Sequence, residues 1–583
     1  MDRLTGIPVS PGVTIGKALV VHSRESLVSY PKPIPEADVS KEIARFEDAL
    51  TQTRAEILGI RKKILVQIGR ESSDIFNAHL MILEDRTLIE DVIAIIKTKK
   101  VSSEYAFSQV LEKYFTAFAD INDEYLKERV SDIRDIGRRL LSKLRGGGQE
   151  TAVLIDNSVI IAHDLSPSDT AMLDKNKVLA FVTEVGGPTS HTAILGRSME
   201  IPSIVGLAHA LARIKTGDTV VVDGTHGVVI IDPDEETIQK YIQAEKKFIE
   251  AVTELDKLKD LPAQTTDGHH IVLAANIEFH DEIPSVLSHG AEGIGLYRTE
   301  YFYMNRSDLP NEQEQYEAYK QVAQKMAPHP VIIRTLDLGG DKFLSALEIP
   351  QEMNPFLGWR AIRFCLTQTE IFKTQLRAIL RASAYGNIKV MYPMIANLNE
   401  LKQANALLEQ CRQELRSRGK KYDENMEVGA MIEIPSAALT SDVLASEVQF
   451  FSIGSNDLIQ YSLAVDRINE KIAYLYEPTH PAILQLIDLV VKNGHKNGRW
   501  VGTCGEMCGD PAIAVLLVGL GIDELSMSSV VLPKVKKAIR SVSYEHAKKI
   551  AAKAMTFNTG FEIKEYINAE VRSLGKDLLE EEE

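Results

Sequence analysis

Cysteine is scarce in this chain: Cys365, Cys411, Cys504 and Cys508 are the four among 583 residues. They are too few and too scattered for a disulfide scaffold, so the sequence predicts a fold held by an apolar core in a reducing compartment. Cys504 and Cys508 form a C-x3-C pair without a second ligand pair, which argues against a zinc centre. Positive charge is also in deficit, with 66 Lys and Arg against 82 Asp and Glu and a formal net charge of -16. A general nucleic-acid binder needs a basic face, and this balance argues against one; a basic protein partner, or a small anion met by local arginines, suits it. No uninterrupted apolar run is long enough to span a bilayer, and no basic segment precedes an apolar one at the N-terminus, so a cytoplasmic protein without membrane insertion is expected.

Proline is missing between Pro35 and Pro167. Across much of that gap apolar residues recur at three- and four-residue steps, as in Ile43, Phe46, Leu50, Ile57, Ile60 and Ile64, which predicts a helical domain over 36–146 ended by Gly146, Gly147 and Gly148. On either side the pattern is mixed. A short strand within 10–21 and the runs 153–155, 159–161, 178–181 and 220–222 predict one α/β domain built from 1–21 and 147–232, with the helical domain inserted. A charged amphipathic helix over 234–259 forms a linker, 233–262. From 263 to 572, eight strand-like runs beginning at Ile271, Gly293, Val331, Ile388, Val428, Phe450, Trp500 and Glu524 alternate with helical stretches, which predicts a (β/α)8 barrel. Residues 573–583 are an acidic tail. The fold class is therefore multidomain α/β.

His191 lies in Gly-Gly-Pro-Thr-Ser-His-Thr-Ala-Ile-Leu-Gly-Arg, a glycine-containing turn and polar cap leading into an apolar helix. An imidazole at a helix N-terminus stands beside open N–H groups and partial positive charge, and both stabilise a phosphoryl group there. In the barrel, the residues at the C-terminal strand ends carry the chemistry. Arg298 and Arg334, with Arg467 further on, could bind a small phosphate-bearing anion through forked hydrogen bonds. Glu433 and Asp457, from adjacent strand ends, are a hard-oxygen pair suited to Mg2+. Asn456 precedes Asp457. Cys504, flanked by glycine, could donate a proton to an enolate, although nearby arginines would favour its thiolate.

Six segments in order make the chain resemble enzyme I of the bacterial phosphoenolpyruvate-dependent sugar phosphotransferase system: the His191 motif, Gly293–Glu300, Arg334–Lys342, Asn354–Arg360, Gly454–Tyr461 and Gly502–Met507. The resemblance implies that His191 accepts the phosphoryl group of phosphoenolpyruvate and passes it to the phosphocarrier HPr, the first step of sugar uptake. It assigns Arg298, Arg334, Asn456, Asp457 and Arg467 to the substrate, Glu433 and Asp457 to Mg2+, and Cys504 to protonation of the pyruvate enolate. It also implies a homodimer through the barrel, an HPr-docking face on the helical domain, and a large swing of the α/β domain, whose hinge is expected in the 234–259 helix and the linker around Leu261-Pro262. Glu71, Asp74, Glu84 and Asp85 around Phe76, His79 and Leu80 are the docking candidates, HPr being basic and apolar at its contact face; the alternative is an ordinary solvated face over a helical core, with His79 structural. Many family members carry Arg where this chain has Pro188, which leaves the tuning of His191 open. Two alternatives remain: a non-catalytic regulator that binds phosphoenolpyruvate, and a relative of phosphoenolpyruvate synthase or pyruvate phosphate dikinase without the ATP-grasp domain. The first should have lost the nucleophile, a metal ligand or an arginine, and none is lost; the synthase and the dikinase themselves need a large ATP-grasp domain upstream, whereas the stretch before the α/β domain resumes reads helical with no glycine-rich nucleotide loop, which argues against an ATP-dependent enzyme.

Overall fold

The structure, a computed structural model, describes residues 2–21, 29–67, 79–80, 82–119, 124–146, 157–165, 177–187, 193, 196, 201–303, 308–339, 352–467, 469, 471–575 and 578. It divides into two compact units, Met1–Val252 and Thr253–Glu583.

The first unit holds one eight-stranded sheet and a set of helices. Strands β1 (Asp2–Thr5), β2 (Ile7–Ser10) and β3 (Val13–Val21) come before the helices; β4 (Ser158–Ala162), β5 (Val178–Thr183), β6 (Ser203–Val205), β7 (Thr219–Asp223) and β8 (Val228–Ile231) come after them. The order across the sheet is β1-β8-β7-β3-β4-β5-β6-β2, so strands from both sides of the helical insertion interleave. The sequence pattern missed β1, β2, β6 and β8, most of them short, and the expected strand at 153–155 lies outside the described residues. Both faces of β4 and β5 are buried: Val159, Ile161, Ala180 and Val182 join one core, Ile160, Ala162 and Phe181 another. That is why these strands read as unbroken apolar runs and not as alternation. Only Gly6 separates β1 from β2, yet they lie at opposite ends of the strand order. The sheet is therefore rolled until its two edges meet at Gly6, where a Cβ would stand 2.7 Å from Ile204 Cγ2 and 2.8 Å from Val205 O.

The helices are α1 (Val39–Gln67), α2 (Arg86–Lys99), α3 (Ser103–Ala119) and α4 (Glu124–Leu144). Their apolar stripes close on a separate core that includes Phe46, Ile57, Val92, Ile96, Phe107 and Leu140. Asp85 caps α2 by accepting from Thr87 N at 2.7 Å and Leu88 N at 3.1 Å. The charged helix expected over 234–259 is α5 (Glu235–Asp256). Among the described residues no helix is long and apolar enough to cross a membrane.

In the second unit, β9 (Val272–Ile277), β10 (Ile294–Tyr297), β11 (Val331–Arg334), β12 (Ile388–Tyr392), β13 (Val428–Ile432), β14 (Phe450–Ile453), β15 (Trp500–Thr503) and β16 (Glu524–Met527) pair in parallel around a closed barrel. The barrel closes where β16 pairs with β9, Glu524 opposite Val272. All eight expected strands are present. Inside, Leu296, Ile332, Met391, Met431, Phe450 and Cys504 pack into one cluster. At the N-terminal strand ends, Phe450 and Trp500 stack with ring centroids 4.5 Å apart, and Lys389 Nζ stands 4.6 Å from the Trp500 ring. Glu524 shares this floor, beside Gly295 and Gly502, where a Cβ would come within 2.8 and 3.3 Å of its Oε1.

The stretch 259–262, at the C-terminal end of the segment where a hinge is expected, lies within the second unit and is fastened to it. Lys536, buried, donates to Lys259 O and Gly290 O at 2.9 Å each, and Arg540 donates to Pro262 O at 2.7 Å. Gly290 sits at φ +71, with room for no Cβ: one would stand 2.0 Å from Lys259 O.

Candidate active site

The C-terminal ends of the barrel strands gather a charged cluster around two arginines. Arg334 closes β11 and is 6% exposed. Its Nη2 lies 2.5 Å from Glu300 Oε1 and its Nη1 3.1 Å from Asp337 Oδ2. The second carboxylate oxygen of Asp337 accepts from Arg360 Nη2 at 2.9 Å, so one aspartate holds two guanidinium groups. Burial works against the charge on Arg334, but Glu300, Asp337 and Glu433 outweigh it and raise its pKa. Arg360 follows the same pattern: burial opposes its charge, and Asp337 and Asp457 lead the groups that raise its pKa. Both arginines stay cationic. Their buried Nε donors find no acceptor among the described residues. Two desolvated cationic N–H groups without acceptors among the described residues are a costly arrangement unless an anion supplies them.

Glu433 follows β13 and is 1% exposed. Its Oε1 accepts from Met394 N, and its Oε2 lies so close to the backbone of Gly454 that a Cβ there would come within 2.7 Å. Burial, reinforced by the neighbouring charges of Asp457 and Asp337, pushes the Glu433 carboxyl up to about 8. Crowded carboxyl groups of this kind want either a shared proton or a cation. Asp457 lies in the first turn of a helix that begins directly after β14. Among the described residues no group of three or more His, Cys, Asp and Glu has metal-holding geometry. Two carboxylates with water and substrate oxygens are nevertheless the usual surroundings of Mg2+, and the raised pKa of Glu433 fits a cation beside it.

Cys504 follows β15, 4% exposed, with Asn276 Nδ2 donating to its carbonyl at 3.1 Å. Burial pushes its thiol up to about 11, against the opposing pulls of Ser452, Arg334 and Arg298. The competition left open by the sequence is thus decided by desolvation, and the sulfur keeps its proton at neutral pH. Asn456 exchanges two hydrogen bonds with Glu506, donating from Nδ2 at 3.1 Å and accepting from Glu506 N at 3.0 Å. The same Glu506 carboxylate lies 3.1 Å from Arg467 Nη1, which ties Arg467 to the mouth. Arg298 follows β10 and pairs with Glu278, half exposed at the rim.

Arg298, Arg334, Glu433, Asn456, Asp457, Arg467 and Cys504 therefore meet at one end of the barrel. His191 lies outside the described residues, as do Pro188, Glu71, Asp74 and Phe76; of the helix expected after His191, Ala193 and Gly196 are described and both are helical. Glu84 is exposed and paired with Arg54 at 2.6 Å. Asp85 serves as the α2 cap described above. His79 is fully buried, its Nδ1 3.9 Å from Asp135 Oδ2, so its ring belongs to the helical core and does not reach the surface.

Three family models cover the chain: the N-terminal domain of PEP-utilising enzymes at 5–129, their mobile domain at 154–227 and their PEP-binding domain at 252–544. The phosphoenolpyruvate-protein phosphotransferase of Bacillus subtilis (strain 168) is 45% identical over 568 residues, covering 97% of this chain and 99% of that protein. The chain belongs to that family. The phosphoenolpyruvate-protein phosphotransferase of Haemophilus influenzae is also 45% identical, over 97% of this chain and 98% of its own length. A solution NMR structure of enzyme I, nEIt, is 44% identical and matches 42% of this chain and 99% of its own, with a TM-score of 0.37. In this enzyme I, the strand-end rule missed Arg360, Asp337 and Glu300. Arg360 precedes a helix, Ala361–Thr367, and ends no strand, so its position in the barrel pattern gave no signal. All three stand inside the matching segments, and a carboxylate two and three residues from a site arginine was the available clue to Glu300 and Asp337.

Proposed function

We propose that this enzyme I transfers the phosphoryl group of phosphoenolpyruvate to its own His191 and then to HPr, the first step of phosphotransferase-system sugar uptake. The observation that carries the barrel half of this reading is the pair of buried guanidinium groups, their Nε donors without an acceptor among the described residues, beside the carboxyl pair Glu433 and Asp457. An anion rich in oxygen answers the first, a divalent cation the second. Arg334 and Arg360 would receive the phosphate and carboxylate oxygens, with Arg298, Asn456 and Arg467 at the rim. Mg2+, when bound, would be held by Glu433 and Asp457 and would supply positive charge against the substrate oxygens.

The imidazole of His191 attacks phosphorus as the bond to the enol oxygen breaks, and the fixed guanidinium charges stabilise the equatorial oxygens. The departing enolate takes the thiol proton of Cys504 at its methylene carbon, which yields pyruvate; water returns a proton to the sulfur. HPr then removes the phosphoryl group at the helical domain, where Glu84 is an exposed carboxylate for a basic partner. The family's dimer through the barrel and a cytoplasmic location complete the proposal.

The test is phosphorylation of the purified protein by labelled phosphoenolpyruvate. Label that requires Mg2+, is acid-labile and base-stable, and disappears in His191→Ala is the expected result. Label retained by His191→Ala would overturn the assignment.

A further inference from the structure

Behind the cluster, a ring of buried hydrogen bonds holds the segment that carries both Arg334 and Asp337. Arg334 O, at the end of β11, accepts from Thr299 Oγ1 at 3.0 Å, and two residues on Leu336 N donates to Gln375 Oε1 at 2.9 Å. Gln375 Nε2 closes the ring by donating to Thr299 Oγ1 at 3.0 Å. Thr299 and Gln375 are both fully buried. Thr299 sits between Arg298 and Glu300, and Gln375 projects from the helix α6 (Thr369–Ser383). Past its last residue a barrel strand loses the ladder partners that fix its backbone, and buried backbone groups must be satisfied elsewhere. Here two side chains supply them, and the same two side chains bond each other.

From this we infer that Thr299 and Gln375 are positioning residues for phosphoryl transfer, setting Arg298 and Glu300 in register with Arg334 and Asp337 without touching the substrate. The inference rests on the assignment of Arg334 to the substrate. The ring has only one hydroxyl that both accepts and donates, so the distance between the two arginine-bearing segments depends on it. Arg334 bonds Glu300 on one segment and Asp337 on the other, and a displacement of either would misplace its open Nε. Preorganised charge loses its effect on a transition state when shifted by about 1 Å, which can cost about 100-fold in rate. A second set of hydrogen bonds leads away from the site: Gln375 Nε2 to Tyr319 Oη at 3.3 Å, and Tyr319 Oη to Gln315 Oε1 at 3.2 Å. Tyr319 packs its ring on Tyr297 and Phe302, and the hydrogen bonds of its hydroxyl run to Gln315 and Gln375 rather than to 298–300 or 334–337, so removing that hydroxyl while keeping the ring supplies an internal control.

Thr299→Val keeps the shape and removes the hydroxyl, Thr299→Ser restores it, Gln375→Met removes the amide, and Tyr319→Phe cuts the control branch. The full-length enzyme is assayed for kcat and KM with phosphoenolpyruvate and for thermal midpoint. Thr299→Val and Gln375→Met should lower kcat by about 10- to 100-fold, Thr299→Ser should recover most of it, and Tyr319→Phe should leave kcat and KM near the parent even where it lowers the midpoint. Parent-like kcat in folded Thr299→Val, or a loss in Tyr319→Phe as large as in Gln375→Met, would overturn the inference. Arg334→Met run alongside separates the two levels: full turnover in that variant would sink the substrate assignment itself, whereas its loss together with a normal Thr299→Val would sink only the positioning role.

Discussion

Cys504 shows how burial sets a chemical role. A thiol with a pKa near 9 surrounded by arginines would partly ionise; at about 11 it is a proton donor, because desolvation exceeds the attraction of the guanidinium charges. Cys504→Ala should therefore leave His191 able to accept a phosphoryl group while overall turnover falls about 10²- to 10⁴-fold. The reverse reaction gives a direct readout: the phosphorylated parent should catalyse deuterium uptake at the methyl group of pyruvate in D2O, followed by NMR, and the variant should not. Unchanged uptake would remove Cys504 from the proton transfer. The sequence offered this residue with the right chemistry and an unresolved competition, since burial cannot be read from a glycine-flanked cysteine. Arg360 is the opposite case, visible as a letter and silent as a function, because only the tertiary fold brings it to Asp337.

At the scale of elements, the barrel strands were legible because parallel strands buried on both faces are unbroken apolar runs, and the polar residues following them stood out. Strands β1, β2 and β6 were not legible, since runs of three or four residues carry almost no periodicity and owe their state to partners far away in sequence. Glu524 breaks the apolar pattern of β16. Burial, tempered by Lys389, pushes its carboxyl up to about 7 from an ordinary 4.5, and its Oε1 has no hydrogen-bond partner among the described residues. Below about pH 4.5 the folded and unfolded states both hold the proton. Between there and about pH 7 the folded state binds it more tightly, so this group lowers stability as pH rises, by up to about 3 kcal/mol at pH 8. Glu524→Gln should raise the urea midpoint of the barrel at pH 8 and lose that gain near pH 4.5. Both tryptophans, Trp359 and Trp500, belong to the barrel unit, so their fluorescence follows its unfolding selectively. Equal pH dependence in parent and variant would show that Glu524 ionises without cost.

For the molecule as a whole, the insertion of one helical core into a sheet assembled from two distant stretches was readable in outline from the proline gap and the glycine run that ends it. The rolling of the sheet was not, since it depends on where β1 and β2 find their partners. Those first ten residues have a role beyond adding two strands. β1 covers the outer side of β8 and β2 covers the outer side of β6, so a single short segment seals both open borders of the sheet. A chain without it would present two rows of unpaired amide and carbonyl groups at once, templates for another molecule of the same kind. Removal of residues 2–10 should thus appear first as self-association in size-exclusion chromatography, in excess of the parent's own state and against the mutual repulsion of chains with a net charge of -16; an unchanged elution volume would contradict it. Residues 2–10 are in that sense a guard against polymerisation, and any segment joined beside them inherits the task of leaving them in place.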